Sequence, residues 1–117
     1  MTISRGDIVE VNFLLPNGDF KPHPVIVLSD SLIHEIDNCF ICTMITGKEI
    51  DDELSFHLSD NMFTKPPKKK SQVRCQLLTF VPEKQVIRKI SSLKKIYVDK
   101  IALKVYQTCL SDISDNE

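Results

Sequence analysis

RGDIVEVNFLLPNGDFKPHPVIVLS, from Arg5 to Ser29, reads as two β-branched strands joined by a polar loop. Ile8, Val9 and Val11 with Phe13 form the first apolar run. Val25, Ile26, Val27 and Leu28 form the second, a short continuous run of the kind shown by a strand covered on both faces. The loop holds Pro16, Gly18, Lys21, Pro22, His23 and Pro24. Pro22 and Pro24 have no N–H to donate, so strand pairing is expected to start only after them, at 24–29. His23, between two prolines, is then presented on a stiff extended segment at the mouth of a sheet. Such a titratable group is a functional candidate.

A chain of 117 residues suits one domain, 1–117, with 42% hydrophobic and 26% charged residues excluding disorder. No apolar run approaches the roughly 18 residues needed to span a bilayer. MTISRGD has no apolar core of its own, so no secretory signal is read there and a cytoplasmic protein without membrane attachment is expected. The four cysteines are then read as reduced thiols. Cys39 and Cys42 have CxxC spacing, which invites a zinc or redox reading. NCFICTMIT is rich in strand formers, however, and residues three apart on a strand point to opposite faces. The preferred reading is small buried side chains, with no metal and no cofactor.

The net charge of −1 gives no global attraction to nucleic acid, but the charges are segregated. NMFTKPPKKKSQVR, Asn61 to Arg74, carries five basic residues and no acidic one, whereas acids gather between Glu49 and Glu53 and in the terminal SDISDNE, expected to fray. Such a loop is either a positive contact surface or simply solvated lysine.

Strands are expected near 7–14, 24–29, 39–46, 54–59, 71–81 and 86–90, with Asp30 as N-cap of a short helical turn. Along QVRCQLL, Val73, Cys75 and Leu77 alternate with Arg74, Gln76 and Leu78, so one face is apolar and the other presents Arg74 and Gln76. A final helix is expected from the stripe Ile96, Val98, Ile101, Ala102, Val105, Tyr106, Cys109 and Leu110. The sum is a mainly β protein: a small antiparallel sheet or partly closed barrel with a C-terminal helix packed on it.

RGDIVEVNF, the strand PVIVLS from Pro24 to Ser29, FICTMIT ending at Thr46, QVRC from Gln72 to Cys75, and VIRKISSLKKIYVDKIALKV occur in an order that resembles the MazF/PemK family of type II toxin–antitoxin endoribonucleases. The resemblance implies an SH3-like antiparallel barrel of the MazF/PemK/CcdB type that forms a homodimer. It also implies metal-independent cleavage of single-stranded RNA (mRNA), the ribose 2′-hydroxyl attacking the adjacent phosphorus, and control by a cognate antitoxin. That chemistry demands a proton acceptor, a proton donor and positive charge at the phosphoryl oxygens.

On these matches Arg74 falls where PemK-like members carry a catalytic arginine, and its permanently charged fork suits a phosphate. Thr46, at a strand end, is a candidate phosphate contact. His23 stands where MazF members usually have arginine; with an ordinary pKa near 6.5 it is a candidate general base. Gln76 departs from the pattern, since PemK-type members place an acid there; an amide only orients RNA by hydrogen bonding. Lys21, Phe20, Lys68, Lys69 and Lys70 complete the expected RNA contacts, Phe20 by stacking and the lysines along the backbone. Phe63 is a further stacking candidate, whereas Phe13, Phe40, Phe56 and Phe80 are read as core, and His34 and His57 as structural. The alternative is a binding module, CcdB-like or catalytically impaired, acting on nucleic acid or a protein target; Gln76 and the missing arginine before Pro24 speak for it.

Overall fold

In the computed structural model, which describes residues 2–111, β1 (Asp7–Leu14) and β2 (Phe20–Val27) pair antiparallel from Leu14↔Phe20 to Ile8↔Ile26. The prolines therefore lie inside β2, with Pro22 opposite Asn12 and Pro24 opposite Glu10, and not ahead of it as expected. A strand tolerates proline where its nitrogen faces no ladder. β2 offers that: its other neighbour, β3 (Cys39–Thr46), pairs only with Val25, Ile26 and Val27.

Four further elements follow β3: β4 (Ser55–Leu58), β5 (Ser71–Pro82), β6 (Val86–Ser92) and α2 (Lys95–Val105), with α1 (Ser31–Asp37) lying between β2 and β3. The strands form one six-stranded antiparallel sheet in the order β4-β5-β3-β2-β1-β6. It is not closed. An isolated bridge between Phe63 and Leu93 joins the segment after β4 to the end of β6. Thus the mainly β architecture with a C-terminal helix is as expected, while full barrel closure is absent among the described residues.

Period-two alternation divides the apolar side chains between two faces. Val9, Val11, Val25, Val27, Phe40, Cys42 and Val81 share one core with Ile3. Ile8, Ile26, Ile45, Val73 and Cys75 face the other way, under Val98, Ile101 and Val105 of α2. Burial on both sides explains the continuous Val25–Val27 run. Only part of the expected helical stripe is used: Ile96, Tyr106 and Leu110 are exposed, and the helix ends in a wider π-type turn, Tyr106–Leu110. The terminal residues 112–117 lie outside the described residues. Asp30 caps α1, accepting from the Leu32 amide at 3.0 Å. No helix among the described residues is long and apolar enough to cross a membrane.

RGD fastens the chain start to α2. Arg5 donates from Nε to the Leu28 carbonyl (3.1 Å) and pairs with Asp99 of α2 (2.9 Å). Gly6 takes φ +95° and donates to the Val27 carbonyl at 2.8 Å, while buried Asp7 accepts from the Ser4 amide and meets Lys89.

Candidate active site on one sheet face

β5 is the strand that organises the site. Met44, Ile45 and Thr46 pair with Arg74, Val73 and Gln72, whereas Thr43 pairs with Leu78. The jump leaves Cys75, Gln76 and Leu77 without partners on β3, an irregularity that bends a strand and re-aims its side chains. On the other side of β5, Ser55 stands opposite Arg74 and His57 opposite Gln72. Residues paired across antiparallel strands share a face. One row therefore holds His57, Gln72 and Thr46, and the next holds Ser55, Arg74, Met44 and Val25. His23, two residues before Val25 and past the last β2–β3 pair, stands on the same face of the sheet. Two strand spacings and one two-residue step put the Cα atoms of His23 and Arg74 roughly 12 Å apart.

Arg74 is not the open surface group that alternation alone suggests. Its side chain is only 11% exposed, and it is held by Asp52, whose Oδ1 and Oδ2 accept from Nη1 (2.8 Å) and Nη2 (3.1 Å). Ser55 Oγ accepts a second bond from Nη1 at 2.6 Å. The guanidinium beside Asp52 holds that carboxyl below the usual carboxylate range, and Asp52 in turn pushes the Arg74 pKa up. Lys104 of α2 donates to the Ser55 carbonyl at 2.6 Å, tying this corner to the helix.

His23 is half-buried in β2, opposite Val11, with Phe13 tilted beside it at 6.4 Å between ring centroids. It is a strand residue and not a loop histidine. Burial lowers its pKa below 6.5, the Ile45 carbonyl opposes that shift, and the charge of Lys21 adds to it. The ring is consequently neutral at neutral pH. Its Nε2 is covered and has no hydrogen-bond partner among the described residues.

Thr46 ends β3, its Oγ1 accepting from the Lys48 amide at 3.1 Å. Gln76 is half-buried in the irregular stretch, with Oε1 unpartnered. Phe20, Lys21, Lys68, Lys69 and Lys70 are exposed. Lys70 lines a cleft of about 950 Å³ with His57, Gln72, Lys48 and Asn61, at the β4 edge. The same cleft carries Glu49, Asp51 and Asp60, so it is of mixed charge.

Several expectations change. Phe63 is buried against Leu93 and presents no stacking face, whereas Phe80, read as core, is 56% exposed. His57 is exposed and lines the cleft, while His34 stacks on Phe40 at 4.7 Å and faces Glu83 at 3.1 Å. Cys42 is in the core and Cys39 half-exposed, its Sγ against the Asp37 carbonyl, so the CxxC pair is split across the sheet. Cys75 is buried and Cys109 exposed, so core packing covers only part of the set. Among the described residues no cluster of three or more His, Cys, Asp or Glu side chains is arranged to hold a metal ion. Asp52, Ser55 and Gln72 were missed from sequence; the acid-rich Glu49–Glu53 stretch was the one available signal.

Residues 4–108 match the model of the PemK-like, MazF-like toxins of type II toxin–antitoxin systems, and the chain belongs to that family. No curated protein matches it by sequence. Among solved structures it is similar to MazF (Form-I) from Deinococcus radiodurans, with a TM-score of 0.74 at 11% identity over 92% of this chain and 96% of that one. An endoribonuclease in complex with its cognate antitoxin from Mycobacterial species gives 0.72 at 8% identity, covering 91% and 93%. Mycobacterium tuberculosis toxin MazF-mt6 gives 0.68 at 16% identity, covering 86% and 93%. These likenesses carry the fold; the family match carries the class.

Proposed function

We propose that this chain is the toxin of a type II toxin–antitoxin module and cleaves single-stranded RNA, such as mRNA, without a metal. The observation that carries the reading is the shared face on which His23, Thr46 and Arg74 stand, in a chain of the MazF/PemK family. The neutral His23 imidazole accepts the proton of a ribose 2′-hydroxyl after turning about its Cα–Cβ bond to bring Nε2 outward. The 2′ oxygen bonds to phosphorus and the bond to the 5′ oxygen breaks. That oxygen takes a proton from solvent water as it leaves, giving a cyclic phosphate and a 5′-hydroxyl. Arg74 carries the growing negative charge, and Thr46 hydrogen-bonds a phosphoryl oxygen. Lys21, Lys68, Lys69 and Lys70 track the backbone, Phe20 stacks on a base, and Gln76 orients the ribose.

The toxin acts as a homodimer in the cytoplasm, and a cognate antitoxin silences it. Exposed Leu77, Leu78 and Phe80 of β5, with exposed Tyr106 and Leu110 of the helical end that meets β5 through Cys109, supply apolar surface for the second copy.

Incubating the protein with single-stranded RNA in EDTA and mapping the ends tests this. Cuts ending in cyclic phosphate, abolished in Arg74→Ala and strongly reduced in His23→Ala, are expected. Unchanged cutting in both variants would show the site to be elsewhere. A non-catalytic binding module is favoured by one observation: position 76 offers an amide in place of a carboxylate. Tight RNA binding with no cleavage at any protein concentration would establish it.

A further inference from the structure

Arg74 has five N–H donors, two on Nη1, two on Nη2 and one on Nε. Nη1 spends both hydrogens, one on Asp52 Oδ1 and one on Ser55 Oγ, and Nη2 spends one on Asp52 Oδ2. What remains, with no partner among the described residues, is Nε–H and the second Nη2–H. Those two point the same way along the lateral edge of the guanidinium, a second fork of the same width as the first. Asp52 therefore closes the end of the group and leaves its side without a hydrogen-bond partner.

Asp52 is itself fixed. Its Oδ1 accepts from the Leu54 amide at 2.9 Å and faces Ser55 Oγ at 3.3 Å, and its carbonyl accepts from the Ser55 amide at 3.3 Å. Ser55 is buried on β4 opposite Arg74. Asp52, Ser55 and Arg74 thus form a closed triangle that fixes the plane of the guanidinium.

We propose that Asp52 and Ser55 are positioning residues, which lock Arg74 so that its Nε–Nη2 edge takes two oxygens of the scissile phosphodiester. This deepens, and rests on, the reading of Arg74 as the phosphate-binding group. The carboxylate lets a nearly covered guanidinium stay charged and ordered before RNA arrives. The phosphate then meets a fork with no rotamer freedom left to lose, and binding energy goes into the transition state. Asp52 is not the proton acceptor: as the lower-pKa partner of an arginine it is a weak base, and the base remains His23.

Cleavage of a single-stranded RNA oligonucleotide by the full chain tests the clamp, with kcat and KM read separately. Asp52→Asn is expected to lower kcat by about 10- to 100-fold with KM nearly unchanged, because misaiming a bound group costs rate and not affinity. Asp52→Glu recovers part of that loss, and Ser55→Ala lowers kcat in the same sense. Arg74→Ala is partly rescued by millimolar guanidinium, and the rescue disappears in Arg74→Ala/Asp52→Asn. A merely structural carboxylate would not govern that rescue. Wild-type or raised kcat in both Asp52→Asn and Ser55→Ala, with Arg74→Ala still dead, would overturn the clamp while leaving the reading of Arg74 intact. An Arg74→Ala protein that cuts at the wild-type rate overturns that reading itself.

Discussion

Val98 of α2 lies so close over Gly6 that a Cβ built at Gly6 would stand 3.0 Å from its Cγ2 and 3.4 Å from the Leu93 carbonyl. Gly6 also needs φ +95°, where an L side chain is strained. Gly6→Ala is therefore expected to destabilise the fold by about 1–3 kcal/mol, read as a lowered urea midpoint at unchanged slope. A midpoint equal to that of the wild type would mean that α2 shifts without cost.

With His23 as the proposed base, both activity and stability are expected to depend on pH. Burial holds its folded pKa below 6.5, so the unfolded chain binds the extra proton more readily in the interval between the two values. Stability should therefore be fully present above about pH 6.5 and decline as pH falls toward the folded pKa. The cleavage rate should rise with pH to a break in that same interval and then level off. In His23→Gln both dependences should vanish, which urea melts and a pH–rate series would read.

How much of this was legible in the chain itself follows from the kind of signal involved. Strand identities came from β-branched runs, and the Asp30 cap from its own local bonding, since such cues span a few residues. Pro22 and Pro24 misled because their effect depends on which side of β2 carries a neighbour, a property of the sheet and not of the dipeptide. The positions of Arg74 and Thr46 were legible as motif pieces, whereas Arg74's partners were not. Asp52 lies 22 residues away, and only the Ser55↔Arg74 register brings it in. Leu77 fell on the apolar face by alternation and Phe80 was read as core, but both are exposed, because the stretch from Cys75 to Leu77 has no partner on β3 and breaks the period.

The lysines at 68, 69 and 70 should reveal themselves through salt. Each phosphate contact on a single strand contributes a slope of about −0.7 in log affinity against log salt. Replacing all three by alanine should flatten the measured slope by about 2 if they follow the backbone. An unchanged slope in filter binding would assign them to solvent.

Thiol chemistry should divide the cysteines by depth. Burial pushes the Cys42 thiol up to about 12, and Cys75 is also raised by burial. Cys109 is exposed and Cys39 half-exposed. With a thiol reagent at pH 8 the native protein should label quickly at Cys109, then at Cys39, while Cys42 and Cys75 react only on unfolding. Fast modification of Cys42 would contradict its place in the sheet core.

The stretch of β5 that has no partner on β3 works as a slack joint between two sections of one strand. Ser71–Arg74 is indexed to Thr46 and β4, while Leu78–Pro82 is indexed to the opposite end of β3. A residue gained or lost at Gln76–Leu77 would be absorbed locally, without sliding Ser71–Arg74 against its neighbours. The two ends of this strand are therefore held in register by different neighbours, so the setting of Arg74 against Ser55 does not depend on how Leu78–Pro82 meets β3.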